Sequence, residues 1–266
     1  MPAPDPAPAE GPFAGDLALL LAAAEEAAPL AMAHFRASPA VTEKPGGQGP
    51  VTEADLAVDA CLKARLLNAR PEAGWLSEET PDDGARLARR ALFVVDPIDG
   101  TRAFLKGETR WALSLAYVVD GAAVAACVHM PAKGRTYAAH LGGGATRDGA
   151  PIHCSPRLDL AGARVLANRA SLSPPLRPEG APPVTRHFRP SLAYRLCLVA
   201  EGRYDAMLIH RPTWHWDVAA GALIAAEAGA LVTDAAGRPL ALGAADPRAE
   251  GCLAAPPALH AALLPV

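Results

Sequence analysis

The sequence predicts a mixed α/β protein built as two layered halves. Three observations predict it. An apolar run, Ala91-Leu92-Phe93-Val94-Val95, leads into Asp96-Pro97-Ile98-Asp99-Gly100-Thr101 and reads as strand, turn and helix start. Two β-rich runs, Trp111–Val119 and Ala122–Met130, flank Asp120-Gly121, a strong hairpin signal. Ala-rich stretches closed by Gly202 and Gly229 read as helices.

Taken in order, residues 1–12 alternate Pro, Ala and acids and are expected to form a disordered tail. Asp16 is placed to cap a helix of about 20 residues ending near Arg36. Residues 44–50, Lys-Pro-Gly-Gly-Gln-Gly-Pro, read as a mobile loop. A second helix runs from near Thr52 to about Arg70, and Thr52 with Asp55 has the form of a capping box. Trp75-Leu76-Ser77 is a short strand ending at Glu78-Glu79, and residues 81–90 are a polar loop or short helix. Pro97 is expected to stop the strand that precedes it. Arg135–Leu141 adds a third strand to the hairpin, and Arg147-Asp148-Gly149 adds a turn, giving an antiparallel meander. Beyond it come a strand at Arg164–Ala167, a Pro-rich loop at 171–183 and a helix at Ser191–Glu201. A strand at Tyr204–His210 and a helix at Asp217–Ala228 follow. Strands at Leu231–Thr233 and Cys252–Ala254 and a helix at Pro257–Leu264 complete the chain. The two halves are residues 13–155 and 156–266.

With 266 residues, 51% of them hydrophobic, the chain can bury a substantial core. Its net charge of −3 lacks the basic excess of a nucleic-acid binder. No apolar run approaches the roughly 20 residues of a membrane span. Residues 17–32 are apolar but carry Glu25 and Glu26, so neither stable membrane insertion nor a signal peptide is expected. Five scattered cysteines, Cys61, Cys127, Cys154, Cys197 and Cys252, contain no C-x-x-C and read as reduced thiols of a cytoplasmic protein.

Acidic residues sit where predicted strands and helices end. They are Asp55, the Glu78-Glu79 pair, Asp96 with Asp99, and Asp217 after Trp216. Singly, each has a structural explanation. Asp55 and Asp217 suit helix starts, Glu78-Glu79 suits a solvated surface, and Asp-Gly-Thr suits a turn. Together they indicate something else. Carboxylates brought together repel, and they stay ionised only with cations between them. Carboxylates bind hard divalent cations, and free amides at a helix start bind phosphate. The combination argues for metal-assisted phosphate chemistry.

The series Asp55, Glu78-Glu79, Asp96-Pro97-Ile98-Asp99-Gly100-Thr101 and Trp216-Asp217 resembles the inositol monophosphatase superfamily of lithium-sensitive, magnesium-dependent phosphatases. The resemblance spans roughly residues 15–260. It implies a layered α-β-α-β-α sandwich and two or three magnesium ions per subunit. It implies that Glu78 and the Ile98 carbonyl hold the first ion, that Asp96 bridges, and that Asp99 and Asp217 hold the second. Water activated by the metals would attack phosphorus. Thr101, oriented by Asp55, would position that water, so Asp55, Glu78 and Thr101 are the catalytic candidates. The amides of Gly100 and Thr101 would hold phosphate oxygens. Glu79 would orient the ligands from behind. Homodimers are common in the family, but the apolar pattern locates no interface.

Substrate is a separate question, because one fold serves many phosphate esters. Inositol monophosphatases carry an acid seven residues before the Trp-Asp aspartate, and here that position is His210. Arg195-Leu196-Cys197-Leu198-Val199-Ala200-Glu201-Gly202 looks instead like the 3′(2′),5′-bisphosphate nucleotidase branch. Thr101-Arg102-Ala103-Phe104 and Arg211-Pro212-Thr213 are similar to that branch too. Arg195, His210 and Arg211 are therefore candidates to meet a distal phosphate. Trp214 is a candidate to stack on adenine, and equally a core residue. The expected substrate is adenosine 3′,5′-bisphosphate. The alternatives are inositol 1-phosphate, fructose 1,6-bisphosphate or histidinol phosphate, and a non-catalytic nucleotide or metal sensor.

Overall fold

A computed structural model of the chain describes residues 11–37, 41–43, 49–174, 176 and 180–264. Most of the expected disordered tail and residues 44–48 of the expected loop lie outside the described residues. The first helix, α1, is Ala14–His34. Its N-cap is Phe13 without a side-chain cap, so Asp16 does not cap it. Asp16 lies in the first turn and instead accepts from Arg70 at 2.8 Å. At 21 residues, α1 is by length and composition alone long and apolar enough to cross a membrane, Glu25 and Glu26 notwithstanding. Here it packs against the second helix and the large sheet, with Leu20, Ala23, Ala27 and Ala31 fully buried.

Strands β1 (Val41–Glu43) and β2 (Pro50–Thr52) pair as a small antiparallel ribbon, so Pro50 belongs to a strand. Helix α2 is Glu53–Ala69, and Thr52 with Asp55 forms the expected capping box. The large sheet runs in order through β3 (Gly74–Ser77), β4 (Ala91–Asp99), β5 (Ala112–Val119) and β6 (Ala122–Met130). It ends with β7 (Arg135–His140), β8 (Ala145–Arg147) and β9 (Ala150–Ile152). β3 is parallel to β4, and the rest is the expected antiparallel meander. Pro97 does not stop β4. The register with β5 shifts between Asp96 and Asp99, so Pro97 needs no ladder hydrogen bond inside this bulge. Gly100 then turns the chain at φ 101° into the short helix α3 (Thr101–Leu105).

The second sheet has the order β11-β10-β12-β16-β14. Its strands are β10 (Arg164–Ala167), β11 (Thr185–His187), β12 (Ala206–Ile209), β14 (Leu231–Thr233) and β16 (Cys252–Ala255). The Pro-rich stretch thus ends in a strand that composition concealed. A further ribbon pairs β13 (Thr213–Trp214) with β15 (Arg248–Ala249). Helix α4 is Leu192–Ala200, α5 is His215–Glu227 and α6 is Pro257–Leu263. Helix α5 starts two residues before its expected position, which puts Asp217 inside its first turn.

Alternation along the strands assembles five layers. Phe93 and Val95 face α1 and α2, whereas Leu92 and Val94 join the core around α4 and α5. Met207 and Ile209 of the second sheet enter that same central core. Ala206 and Leu208 point the other way, onto Leu259 and Leu263 of α6. The order is α1/α2, large sheet, α4/α5, second sheet, α6. All five cysteines are free thiols.

Close approach of α4 to α5 depends on Gly221, where an added Cβ would lie 2.6 Å from the Leu196 Cβ. Gly221→Ala should therefore overpack this pair and cost about 1–3 kcal/mol. Thermal unfolding reads the loss as a lower Tm, and an unchanged Tm would show slack between the helices.

Candidate active site

The bulged end of β4 delivers two carboxylates to one place. Asp96 accepts from the Ile98 amide at 3.0 Å, which folds the turn back on itself. Its register partner across β5 is Ser114, whose hydroxyl donates to the Trp216 carbonyl at 3.1 Å. That bond ties the start of α5, and so Asp217, to the strand beside Asp96. Asp99 reaches the start of α4. It accepts from the Ser191 hydroxyl at 2.6 Å, the Ala193 amide at 2.7 Å and the Leu192 amide at 3.2 Å. These are donors that a helix start leaves without intrahelical partners. One carboxylate oxygen from each of Asp96, Asp99 and Asp217 lies within 4.8 Å of the others.

Glu78 follows β3, held by its amide to the Val95 carbonyl at 3.2 Å. With Asp96, Asp99, Asp217, Gly100 and Thr101 it lines one cleft of about 550 Å³. The Thr101 hydroxyl donates to the Ile98 carbonyl at 3.1 Å. Asp55 is buried beneath the cleft and accepts from the Thr52 amide and hydroxyl at 2.8 and 2.6 Å. Its charge still acts on Asp96. Glu79 lies outside the cleft lining, its amide donating to the Ser77 hydroxyl at 3.3 Å.

The distal candidates divide. Arg195 and Arg211 line the cleft, whereas His210, just past the end of β12, does not, although Ile209 and Arg211 on either side of it do. Trp214 does not line it either. It stacks on Trp216 at 4.7 Å, with Arg248 over its ring.

Three contributors escaped the sequence reading. Ser114 and Ser191 reach the site through partners roughly a hundred residues away, and Ser191 also caps α4 by accepting from the Tyr194 amide. Asp59, one helical turn after Asp55, is buried and accepts from the hydroxyls of Ser77 and Thr80 on either side of Glu78-Glu79. Its i+4 spacing from Asp55 on α2 was the available signal.

Electrostatics follow from burial. Asp96 and Asp217 are pushed well above the usual carboxylate range by desolvation and then by neighbouring carboxylates. Asp99 is raised only to about 6, because its three donors favour the charged form against burial. Burial lowers the Arg195 guanidinium to about 10, so it stays charged at neutral pH. Among the described residues no ion pair with Lys or Arg neutralises the three aspartates. Hard oxygen donors in mutual proximity, with no salt-bridged Lys or Arg among the described residues, fit a small divalent cation.

Raised carboxyl pKa values stabilise the ligand-free fold at low pH. That contribution is lost as pH rises through about 6 for Asp99, and the raised carboxyls of Asp96 and Asp217 act in the same direction. A divalent cation held by these carboxylates would displace those protons. The rise in Tm caused by magnesium over a chelator should therefore grow between about pH 5 and pH 8. An equal rise at both ends would refute proton–cation competition. Asp59→Ala strips the acceptor from Ser77 and Thr80 and should weaken the magnesium response about 10–100-fold, read by titrating Tm with magnesium.

Residues 16–266 match the sequence model of the inositol monophosphatase family. The chain is 38% identical over 213 residues to the inositol-1-monophosphatase of Mycobacterium leprae, covering 73% of this chain and 71% of that one. It is 36% identical over 227 residues to a Streptomyces griseus protein named glucose-1-phosphate thymidylyltransferase, covering 84% and 86%. Its fold superposes on the Thermotoga maritima IMPase with TM-score 0.80 at 25% identity, over 94% of this chain and 95% of the other. The five layers, the buried acid cluster and these matches agree, and the chain belongs to the inositol monophosphatase family.

Proposed function

We propose that this protein is a magnesium-dependent phosphomonoesterase that removes the 3′-phosphate of adenosine 3′,5′-bisphosphate. Phosphatase activity on small phosphate esters is the activity of the family. The finer reading is carried by one observation. The cleft that holds the acid cluster also holds Arg195 and Arg211, and Arg102, Lys106 and Arg110 extend the positive lining. A substrate with one phosphate at the aspartates and another among arginines uses both ends.

In this reading Glu78, Asp96, Asp99, Asp217 and the Ile98 carbonyl hold two or three magnesium ions. When bound, the ions lower the pKa of water and neutralise charge at phosphorus. The protein does the remaining work. Thr101 donates to Ile98 and keeps lone pairs that orient an attacking water. Asp55 and Glu79 hold their neighbours in place from behind. The amides of Gly100 and Thr101 hold phosphate oxygens as charge develops. A bond forms from water oxygen to phosphorus, the ester P–O bond breaks, and the released proton reaches the leaving oxygen. No covalent enzyme intermediate is required. The expected setting is a cytoplasmic homodimer inhibited by lithium.

Inositol 1-phosphate is the second reading, favoured by the M. leprae relative's name. The acid expected of that branch is replaced by His210, which lies off the cleft lining, so no acid at this position meets a sugar hydroxyl. Phosphate release from adenosine 3′,5′-bisphosphate, inositol 1-phosphate, fructose 1,6-bisphosphate and histidinol phosphate, with and without magnesium, separates them. The bisphosphate should show the highest kcat/KM, and equal or faster inositol phosphate turnover would overturn the assignment. Asp99→Asn should cut turnover at least about 100-fold. Arg211→Ala should raise KM for the bisphosphate roughly tenfold and leave nucleoside monophosphates unchanged.

A further inference from the structure

The cleft lining turns apolar where the chain passes from β11 to α4, the segment whose Leu192 amide reaches Asp99. Phe188, Pro190 and Leu192 line it there, and Ile209 of β12 adds to them. Phe188 is 53% exposed there, whereas the neighbouring Leu192 is 6% exposed. A single exposed apolar side chain is ordinary on a convex surface. On the wall of a charged cleft it is a binding feature.

Phe188 is also held in place. The Arg195 guanidinium lies 4.4 Å from its ring centroid, and Arg195 itself is buried and donates to the Arg189 carbonyl. One ring face therefore rests on an anchored cation, and more than half the side chain is open. Asn168 lines the same cleft. Its Oδ1 accepts from the Ser171 amide at 2.8 Å, which leaves the Nδ2 hydrogens to donate to a ligand acceptor.

We propose that Phe188 is a specificity-determining stacking platform for a planar heteroaromatic leaving group, with Asn168 donating to a ring acceptor. The occupant class is a purine or similar flat base, rather than a polyol whose every face is polar. This rests on the phosphatase reading of the cleft and gives the base-recognition role, for which Trp214 was one candidate, to another element. Stacking on the platform acts on ground-state and transition-state binding alike, so it sets KM and leaves kcat.

Steady-state kinetics with adenosine 3′-monophosphate and glycerol 2-phosphate test it in wild type, Phe188→Ala and Phe188→Trp. A nucleoside monophosphate keeps the distal phosphate out of the comparison. Phe188→Ala should raise KM for the nucleotide roughly tenfold and leave glycerol 2-phosphate within about twofold. Phe188→Trp should restore the nucleotide KM. Equal changes for both substrates, or none for the nucleotide, would overturn the proposal. Calorimetric binding of adenosine 3′-monophosphate in calcium gives a second readout that needs no turnover. If wild type hydrolyses neither ester, the phosphatase reading fails, and the binding ratio between wild type and Phe188→Ala still decides the role of Phe188.

Discussion

Like charges forced together at one cleft govern this molecule. Asp96, Asp99 and Asp217 come from a strand end and a helix start; the first two are buried, Asp217 is half-buried, and all three line the cleft. Burial alone would keep all three protonated. The protein offsets this unequally. Asp99 receives a hydroxyl and two amides from the start of α4, while Asp96 has a single amide from Ile98. Asp99 is thus the aspartate whose charged form these donors favour, whereas burial and the neighbouring carboxylates push Asp96 and Asp217 well above the usual carboxylate range. Stability is spent at the place where chemistry needs it.

The layers exist to hold that arrangement rigid. The bulge at Pro97 sets Asp96 and Asp99 apart along β4 and re-aims the second carboxylate toward α4. Ser114 locks α5 to the neighbouring strand through the Trp216 carbonyl. Gly221 lets α4 and α5 lie close enough for their starts to share one cleft. Asp59 fixes the chain around Glu78 from beneath, through Ser77 and Thr80. Each tie joins a different pair of elements, so a change in one layer reaches the acid cluster by a short path.

Charge also divides the cleft. Its acids gather around the end of β4, while arginines and one exposed aromatic ring share the same cleft wall. In the proposed reading a phosphate ester would use both, its phosphate meeting cations and its leaving group meeting the wall. Relatives that share the acids can therefore differ in substrate by changing the wall alone.

Local chemistry was enough to read the acid motifs, the capping box at Thr52 and Asp55, and the hairpin at Asp120-Gly121, because each is settled within a few residues. Long apolar strands and Gly-terminated helices were legible for the same reason. The short strands at 185–187, 213–214 and 248–249 were not, since two or three residues carry no period and exist only through their partners. Pro97 misled for a related reason: whether proline ends a strand depends on whether the neighbouring strand asks for its N–H. His210 and Trp214 looked equal to Arg195 and Arg211 in a linear reading, and only packing put the first pair away from the cleft and the second pair on it. The residue types able to hold a cation were thus determined along the chain. Which of them meet, and what faces the leaving group, was decided by the tertiary structure, because convergence of distant segments is a property of packing and not of order along the chain.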